Sequence, residues 1–151
     1  VVDEDARNAG NRISVRVSPE ATRAVTDVSK LGVCVAAVVS NAVKFTEGGL
    51  IAVNADCVFG DGRDWLVISV SDTGIGIAAE DLSRVFQPFT QIDSTSTRAK
   101  GGMGLGLSIA QRMAHTLGGE VTVTSELGSG STFTIRVPLR IERATSVRVA
   151  A

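Results

Sequence analysis

Apolar and polar residues along this chain repeat in two alternating periods, and the change from one to the other marks out its elements. Residues 12–17, RISVRV, alternate strictly, with Ile13, Val15 and Val17 on one side and Arg12, Ser14 and Arg16 on the other. That period predicts a half-buried strand. From Asp27, placed as an N-cap, a helical pattern runs to about Phe45, where Glu47-Gly48-Gly49 ends it. Residues 50–58, LIAVNADCV, and 65–71, WLVISVS, flank a Gly60-Asp61-Gly62 turn. They predict an antiparallel hairpin whose second strand, a nearly continuous apolar run, is buried on both faces. A Gly-punctuated loop, SDTGIGI, follows, and AAEDLSRVF predicts a short helix. Residues 90–101 are polar and aperiodic, a loop of the length usually found where loops have a function. A second helix is predicted over 104–117, with Leu105, Ile109, Met113 and Leu117 on one stripe and Gly118-Gly119 as its stop. EVTVTSE and STFTIRV alternate around LGSGS as a final hairpin, and Pro138 closes the last strand.

Hairpin strands with separate helices predict an α+β fold, a two-layer sandwich with helices on one face of a mixed, mostly antiparallel sheet. Residues 1–139 form the expected domain and 140–151 a tail or linker. No internal repeat is visible. The sequence opens on Val1 rather than Met, so a segment of a longer protein is expected.

Composition changes this picture little. The 151 residues are 44% hydrophobic and 21% charged, with a formal net charge of −1. That balance suits one domain with a real core and gives no electrostatic reason to expect nucleic acid or an anionic membrane as partner. Cys34 and Cys57 lie far apart without a CxxC spacing and read as buried thiols. No apolar run is read as long enough to span a bilayer, and no signal peptide opens the chain.

Three stretches carry candidate chemistry. In VAAVVSNAVKF, residues 35–45, Asn41 and Lys44 interrupt an apolar helix one turn apart. A buried amide and ammonium need partners; Asn41 is either a core amide bonded to nearby backbone or a ligand-facing group. GGMGLGL, residues 101–107, precedes a helix. Its glycines permit close backbone approach, and a helix N-terminus offers free N–H groups to phosphate; the alternative is a simple hinge. No Lys follows, so it is not a P-loop, and Leu107 and the preceding loop exclude the dinucleotide fingerprint. DTGIG, residues 72–76, has three readings. It could be the triplet of a dimeric aspartic protease, which two long helices oppose. It could be an Asp-capped turn. It could also be a carboxylate that accepts from an exocyclic amino group such as adenine's, beside a glycine turn with room for a flat ring.

In order, SNAVKFTEGG, SDTGIGI, RVFQPFTQ and GGMGLGLSIA resemble the N, G1, F and G2 boxes of the catalytic domains of sensor histidine kinases, within the superfamily of gyrase, Hsp90-type chaperones and mismatch-repair ATPases. The resemblance runs from about Arg12 to Leu139. It implies the Bergerat-type ATP-binding fold, with ATP and Mg²⁺ bound. FTQIDSTSTRAKGG resembles the lid of hybrid kinases, which carry a receiver domain downstream. By the same resemblance, Asp72 binds the adenine amino group and Gly74 and Gly76 shape the adjoining turn. Asn41 ligates Mg²⁺, Lys44 reaches the phosphates and Arg98 the γ-phosphate. Gly102, Gly104 and Gly106 wrap the phosphate chain, and Ile77, Leu105 and Leu107 complete the nucleotide contacts. Phe86 and Phe89 anchor the lid. The activity implied is transfer of the γ-phosphate to a histidine on a separate dimerisation domain of the same parent, with a response-regulator receiver as later partner. The implied location is the cytoplasm, without direct membrane contact by this domain.

The sequence departs from the family at three positions. Four residues before Asn41, where the family usually carries Asn or a general-base Glu, stands Ala37; Val33 replaces an often polar residue four earlier. Neither can orient a water, which argues against efficient ATP hydrolysis. Met103 replaces a small Thr. An active kinase domain and a degenerate nucleotide-sensing module therefore both remain open. His115, the only histidine, reads as a helix-end residue at the C-terminal dipole rather than a phosphoacceptor.

Overall fold

The computed structural model describes residues 10–91 and 104–140. Arg98, Gly102, Met103 and most of the lid, like the tail beyond Arg140, lie outside them.

Five strands form one sheet: β1 (Arg12–Val17), β2 (Leu50–Gly60), β3 (Arg63–Asp72), β4 (Glu120–Glu126) and β5 (Gly130–Pro138), in the order β1-β2-β3-β5-β4. Only β1 and β2 are parallel, because the long helix α1 (Val28–Phe45) connects them; tight turns join β2 to β3 and β4 to β5, and a long segment leads from β3 to the far edge of the sheet at β4. Asp61 (φ 51°) and Gly62 (φ 75°) form the two-residue turn between β2 and β3, the left-handed pair that matches strand twist. With the second helix, α2 (Gly106–Thr116), α1 covers one face of the sheet. The architecture is the α+β sandwich that the sequence predicts.

Alternation decides which residues meet the helices. Ile51 and Ala55 of β2, Leu66, Ile68 and Val70 of β3, Val121 of β4, and Phe133, Ile135 and Val137 of β5 form the buried sheet side of the core. Cys34, Val38 and Ala42, spaced by four, form the stripe of α1 that meets them. Asp27 caps α1 as expected, accepting from Lys30 N at 3.1 Å. The other end is capped from a distance: buried Asn11 donates to Thr46 O at 2.8 Å and accepts from Gly49 N at 3.0 Å.

Several expectations need correction. Val15 and Val17 share the side of Ile13 as predicted but are 68% and 52% exposed, because neither helix reaches over the β1 edge. β3 is fully buried on its helix-facing side only; Trp65, Val67, Ser69 and Ser71 are half-buried on the open face. There Ser71 and Thr132 share a hydrogen bond of 2.9 Å, and the Arg136 guanidinium lies 4.0 Å from the Trp65 ring centroid. The stripe proposed for α2 is rotated. Ile109 is exposed, and Ser108, Ala110 and Ala114 are buried, with Leu117 at the C-cap. Small side chains let α2 approach α1 so closely that Cys34 Sγ donates to Ala110 O at 3.3 Å. AAEDLSRVF forms one 3-10 turn, Ala79–Asp81, and further turns rather than a helix. Cys57 is half-buried. Finally, α1 is long and apolar enough to cross a membrane by length and composition, contrary to the sequence reading; in the fold it lies on the sheet.

Candidate nucleotide site

Asp72 owes its place to strand alternation. It follows Leu66, Ile68 and Val70 on the helix-facing side of β3 and ends that apolar row, 9% exposed. Burial pushes its carboxyl above the ordinary carboxylate value. The Gly74 N–H, which donates to Oδ1 at 2.9 Å, the Ser131 N–H and the Thr46 hydroxyl pull the other way.

The glycines of DTGIG are required by backbone rather than by space for a ring. A Cβ on Gly74 would lie 2.2 Å from Phe45 O and 2.9 Å from Asp72 Oδ1. On Gly76 (φ 68°) it would lie 2.0 Å from Glu126 O. The loop is thus clamped between the end of α1 and the β4–β5 turn, with Ile75 N donating to Phe45 O at 3.3 Å and Gly128 N to Ile75 O at 2.7 Å. Ile77 packs against the core, and its N–H donates to Ser125 Oγ at 2.8 Å.

α1 is the wall common to the predicted site residues. At one end, the Ala37 methyl lies 3.9 Å from where a Cβ of Gly106 would stand, at the start of α2. At the other, Phe45 touches the loop after Asp72 through its carbonyl, which accepts from Ile75 N and is pressed on Gly74. Asn41, one turn beyond Ala37, and Lys44, beside Phe45, lie between these contacts on the same stripe. Both are half-buried, and Lys44 Nζ stands 5.0 Å from the Phe45 ring centroid.

The N-terminus of α2 supplies donors. Its N-cap, Leu105, makes no side-chain capping bond, and among the described residues Ile109 N is the first amide seen to bond back, to Leu105 O at 3.0 Å. The earlier amides of the turn, at Gly106, Leu107 and Ser108, are the groups that a helix start leaves for an anion. Gly104 (φ 67°) is pressed against the F box: its Cβ would lie 2.7 Å from Thr90 O, and its carbonyl accepts from Phe89 N at 3.1 Å. Of the two anchoring rings expected, Phe86 packs edge-to-face on Phe133, at 6.3 Å between centroids. The Phe89 ring is 74% exposed, and among the described residues Phe89 joins the loop ends through its backbone.

A depression of about 350 Å³ opens beside Asp72, lined by Ser125, Gly130, Ser131 and neighbouring β4–β5 residues, and is separate from Asn41 and Lys44. Among the described residues no three His, Cys, Asp or Glu side chains gather as a metal cage. Any divalent cation here would rest on an amide such as Asn41 together with ligand oxygens.

Sequence reasoning passed over Asn11, Thr46 and Ser125. Ser125 had a signal, a polar residue on the inward face of β4 after Val121 and Val123; its hydroxyl donates to Gly130 O at 2.8 Å as well as receiving Ile77 N. Asn11 had none, since its partners lie 35 and 38 residues away.

Residues 26–141 match the family described as histidine kinase-, DNA gyrase B- and HSP90-like ATPase. The chain is 46% identical over 102 residues to the autoinducer 2 sensor kinase/phosphatase LuxQ of Vibrio cholerae, a match spanning 68% of this chain and 12% of that protein. It superposes on full-length ShkA, solved in complex with AMPPNP, with a TM-score of 0.73 and 34% identity, covering 89% of this chain and 27% of that one. Against the mycobacterial sensor histidine kinase MprB the TM-score is 0.71 at 26% identity, covering 91% and 92% of the two chains. Matched over most of its length in sequence and in fold, the chain belongs to the histidine kinase-, DNA gyrase B- and HSP90-like ATPase family, as a catalytic domain of the sensor histidine kinase type.

Proposed function

We propose that this chain binds ATP with Mg²⁺ and presents the γ-phosphate to a histidine on a dimerisation domain of the same parent protein. The observation that carries this reading is the single wall of α1, which touches the Asp72 loop at one end and the start of α2 at the other, with Asn41 and Lys44 between. In that frame Asp72 accepts from the adenine amino group, and the amides of Gly106 and Leu107, with Gly104 and Leu105 before them, face the phosphates. Lys44 adds positive charge, and Arg98 and Gly102 contribute from the lid. Ile77 packs beside the base, and Phe89 ties the lid to the F box. Asn41 is the protein ligand for Mg²⁺, which neutralises charge on the phosphate oxygens. The phosphoryl group passes to an imidazole nitrogen of the acceptor, and ADP leaves. Positioning and charge stabilisation account for much of such catalysis. The acceptor imidazole is itself a nucleophile, so a base at position 37 is dispensable.

A second reading has one observation in its favour. Ala37, packed as a methyl group against α2, leaves the stripe without a polar group upstream of Asn41. A nucleotide-sensing module that binds ATP and signals by lid closure fits that too. Labelled γ-phosphate from saturating Mg-ATP, offered with the cognate histidine-bearing domain, separates the two: label on the acceptor is expected, and its absence contradicts the kinase reading. The same scheme places a receiver domain downstream and this domain in the cytoplasm. It treats 1–139 as the catalytic unit and 140–151 as a linker.

A further inference from the structure

The row of side chains that contains Asp72 continues across the sheet as hydroxyls. Asp72 stands opposite Ser131 of β5, and Ser131 opposite Ser125 of β4, so all three share one side of the sheet. Ser125 Oγ makes three bonds. It accepts from Ile77 N at 2.8 Å, donates to Gly130 O at 2.8 Å and lies 2.9 Å from Ser131 Oγ. A serine hydroxyl has one proton and two lone pairs. Ser125 gives its proton to Gly130, so the proton between the two hydroxyls belongs to Ser131. Ser125 is then saturated, and Ser131, only 8% exposed, has lone pairs alone left to offer. Backbone fixes these partners. Gly130 (φ 112°) is pressed on Asp72, where a Cβ would lie 2.0 Å from Asp72 O, and Ile77 follows directly on the DTGIG loop. The depression beside Asp72 is lined by both serines together with the carboxylate.

We propose that Ser125 is a positioning residue that sets the polarity of base recognition: by taking the Ser131 proton it presents Ser131 as an acceptor beside the Asp72 carboxylate, so the site admits a purine with a 6-amino group and rejects one with a 6-oxo group. This rests on the assignment of Asp72 to the adenine amino group. It adds the reason why a neighbouring hydroxyl, free in principle to donate to a carbonyl, does not. An amino group brings two protons, one for each acceptor. A carbonyl oxygen would meet two acceptors and leave buried lone pairs unpaired, which is how a polar site discriminates between ligands of equal size. Ser125 acts through Ser131 rather than on the nucleotide.

The test titrates wild type, Ser125→Ala, Ser131→Ala and the double variant calorimetrically with Mg-ATP and with Mg-inosine triphosphate, which carries an oxygen in place of the amino group. Wild type is expected to prefer ATP. Ser125→Ala frees the Ser131 proton to turn toward the ligand, so that preference should fall about three- to tenfold. Ser125→Thr, which retains a hydroxyl, should restore it. In the Ser131→Ala background, where the preference is already lowered, Ser125→Ala should change it by less than about twofold. Equal losses for both nucleotides in Ser125→Ala, or an effect on preference as large without the Ser131 hydroxyl as with it, would reduce Ser125 to a loop clamp and overturn the proposal. Should Ser125→Ala fail to fold, Ser131→Ala decides, since an unchanged preference there overturns the proposal too. Wild type that binds both nucleotides equally would overturn it while nucleotide binding stood. Wild type that binds neither would remove the nucleotide reading itself, and this inference with it.

Discussion

Asp72 is where chemistry and stability oppose each other. Its carboxyl sits above the ordinary carboxylate value because burial disfavours the charge more than Gly74, Ser131 and Thr46 favour it. A raised folded pKa means that the folded chain holds the proton more tightly than the unfolded one. Its contribution to stability is full below the unfolded value and lost as pH rises through the folded one. Binding to an amino group has the opposite sign, since it needs the ionised form and weakens as pH falls through the same raised value. Asp72→Asn should therefore hold or raise the melting temperature at neutral pH while weakening Mg-ATP about 10- to 100-fold by calorimetry. Affinity that survives unchanged would remove the adenine contact. Asn41→Ala should weaken ATP more with Mg²⁺ than with chelator, whereas equal losses would contradict the metal role. These two residues were legible in the sequence because each breaks a local pattern, a carboxylate ending an apolar run and an amide within an apolar helix. Asn11 and Thr46 break no such pattern, and their role exists only once β1, α1 and the Asp72 loop have met.

At the scale of elements, periodicity located the five strands and two α-helices of the described residues, but it predicted a short helix at AAEDLSRVF where the chain forms turns, and it misjudged faces. The α2 stripe was drawn through its bulkiest residues, while the fold buries Ala110 and Ala114 and exposes Ile109. Size mattered more than hydrophobicity there, because close approach to α1 admits only small side chains. Ala114→Leu should consequently cost about 1–3 kcal/mol, whereas Ile109→Ser should stay within about 0.5 kcal/mol, both read from urea denaturation. The reverse order would restore the sequence-based stripe. β1 shows the complementary limit. Its alternation predicts a strand and its two sides, but exposure of Val15 and Val17 depends on how far the helix layer extends, which no property of the strand reveals.

At the scale of the molecule, the fold was legible because four ordered motifs and the order of strands and helices agreed. Individually, DTGIG and GGMGLGL allowed a protease turn and a hinge. What the sequence left open was why their glycines are glycines. Gly74 and Gly76 make room for the backbone of α1 and of the β4–β5 turn, and only then shape a site. The account depends on one claim, that the end of β3, the stripe of α1 and the start of α2 serve a single ligand. The most direct measurement is an NMR titration of the ¹⁵N-labelled chain with a non-hydrolysable ATP analogue and Mg²⁺. The account predicts that the Asn41 side-chain amide, the Gly74 and Gly76 amides and the Gly104 and Gly106 amides shift together along one saturation curve. Separate curves, or shifts confined to one of these three groups, would contradict it.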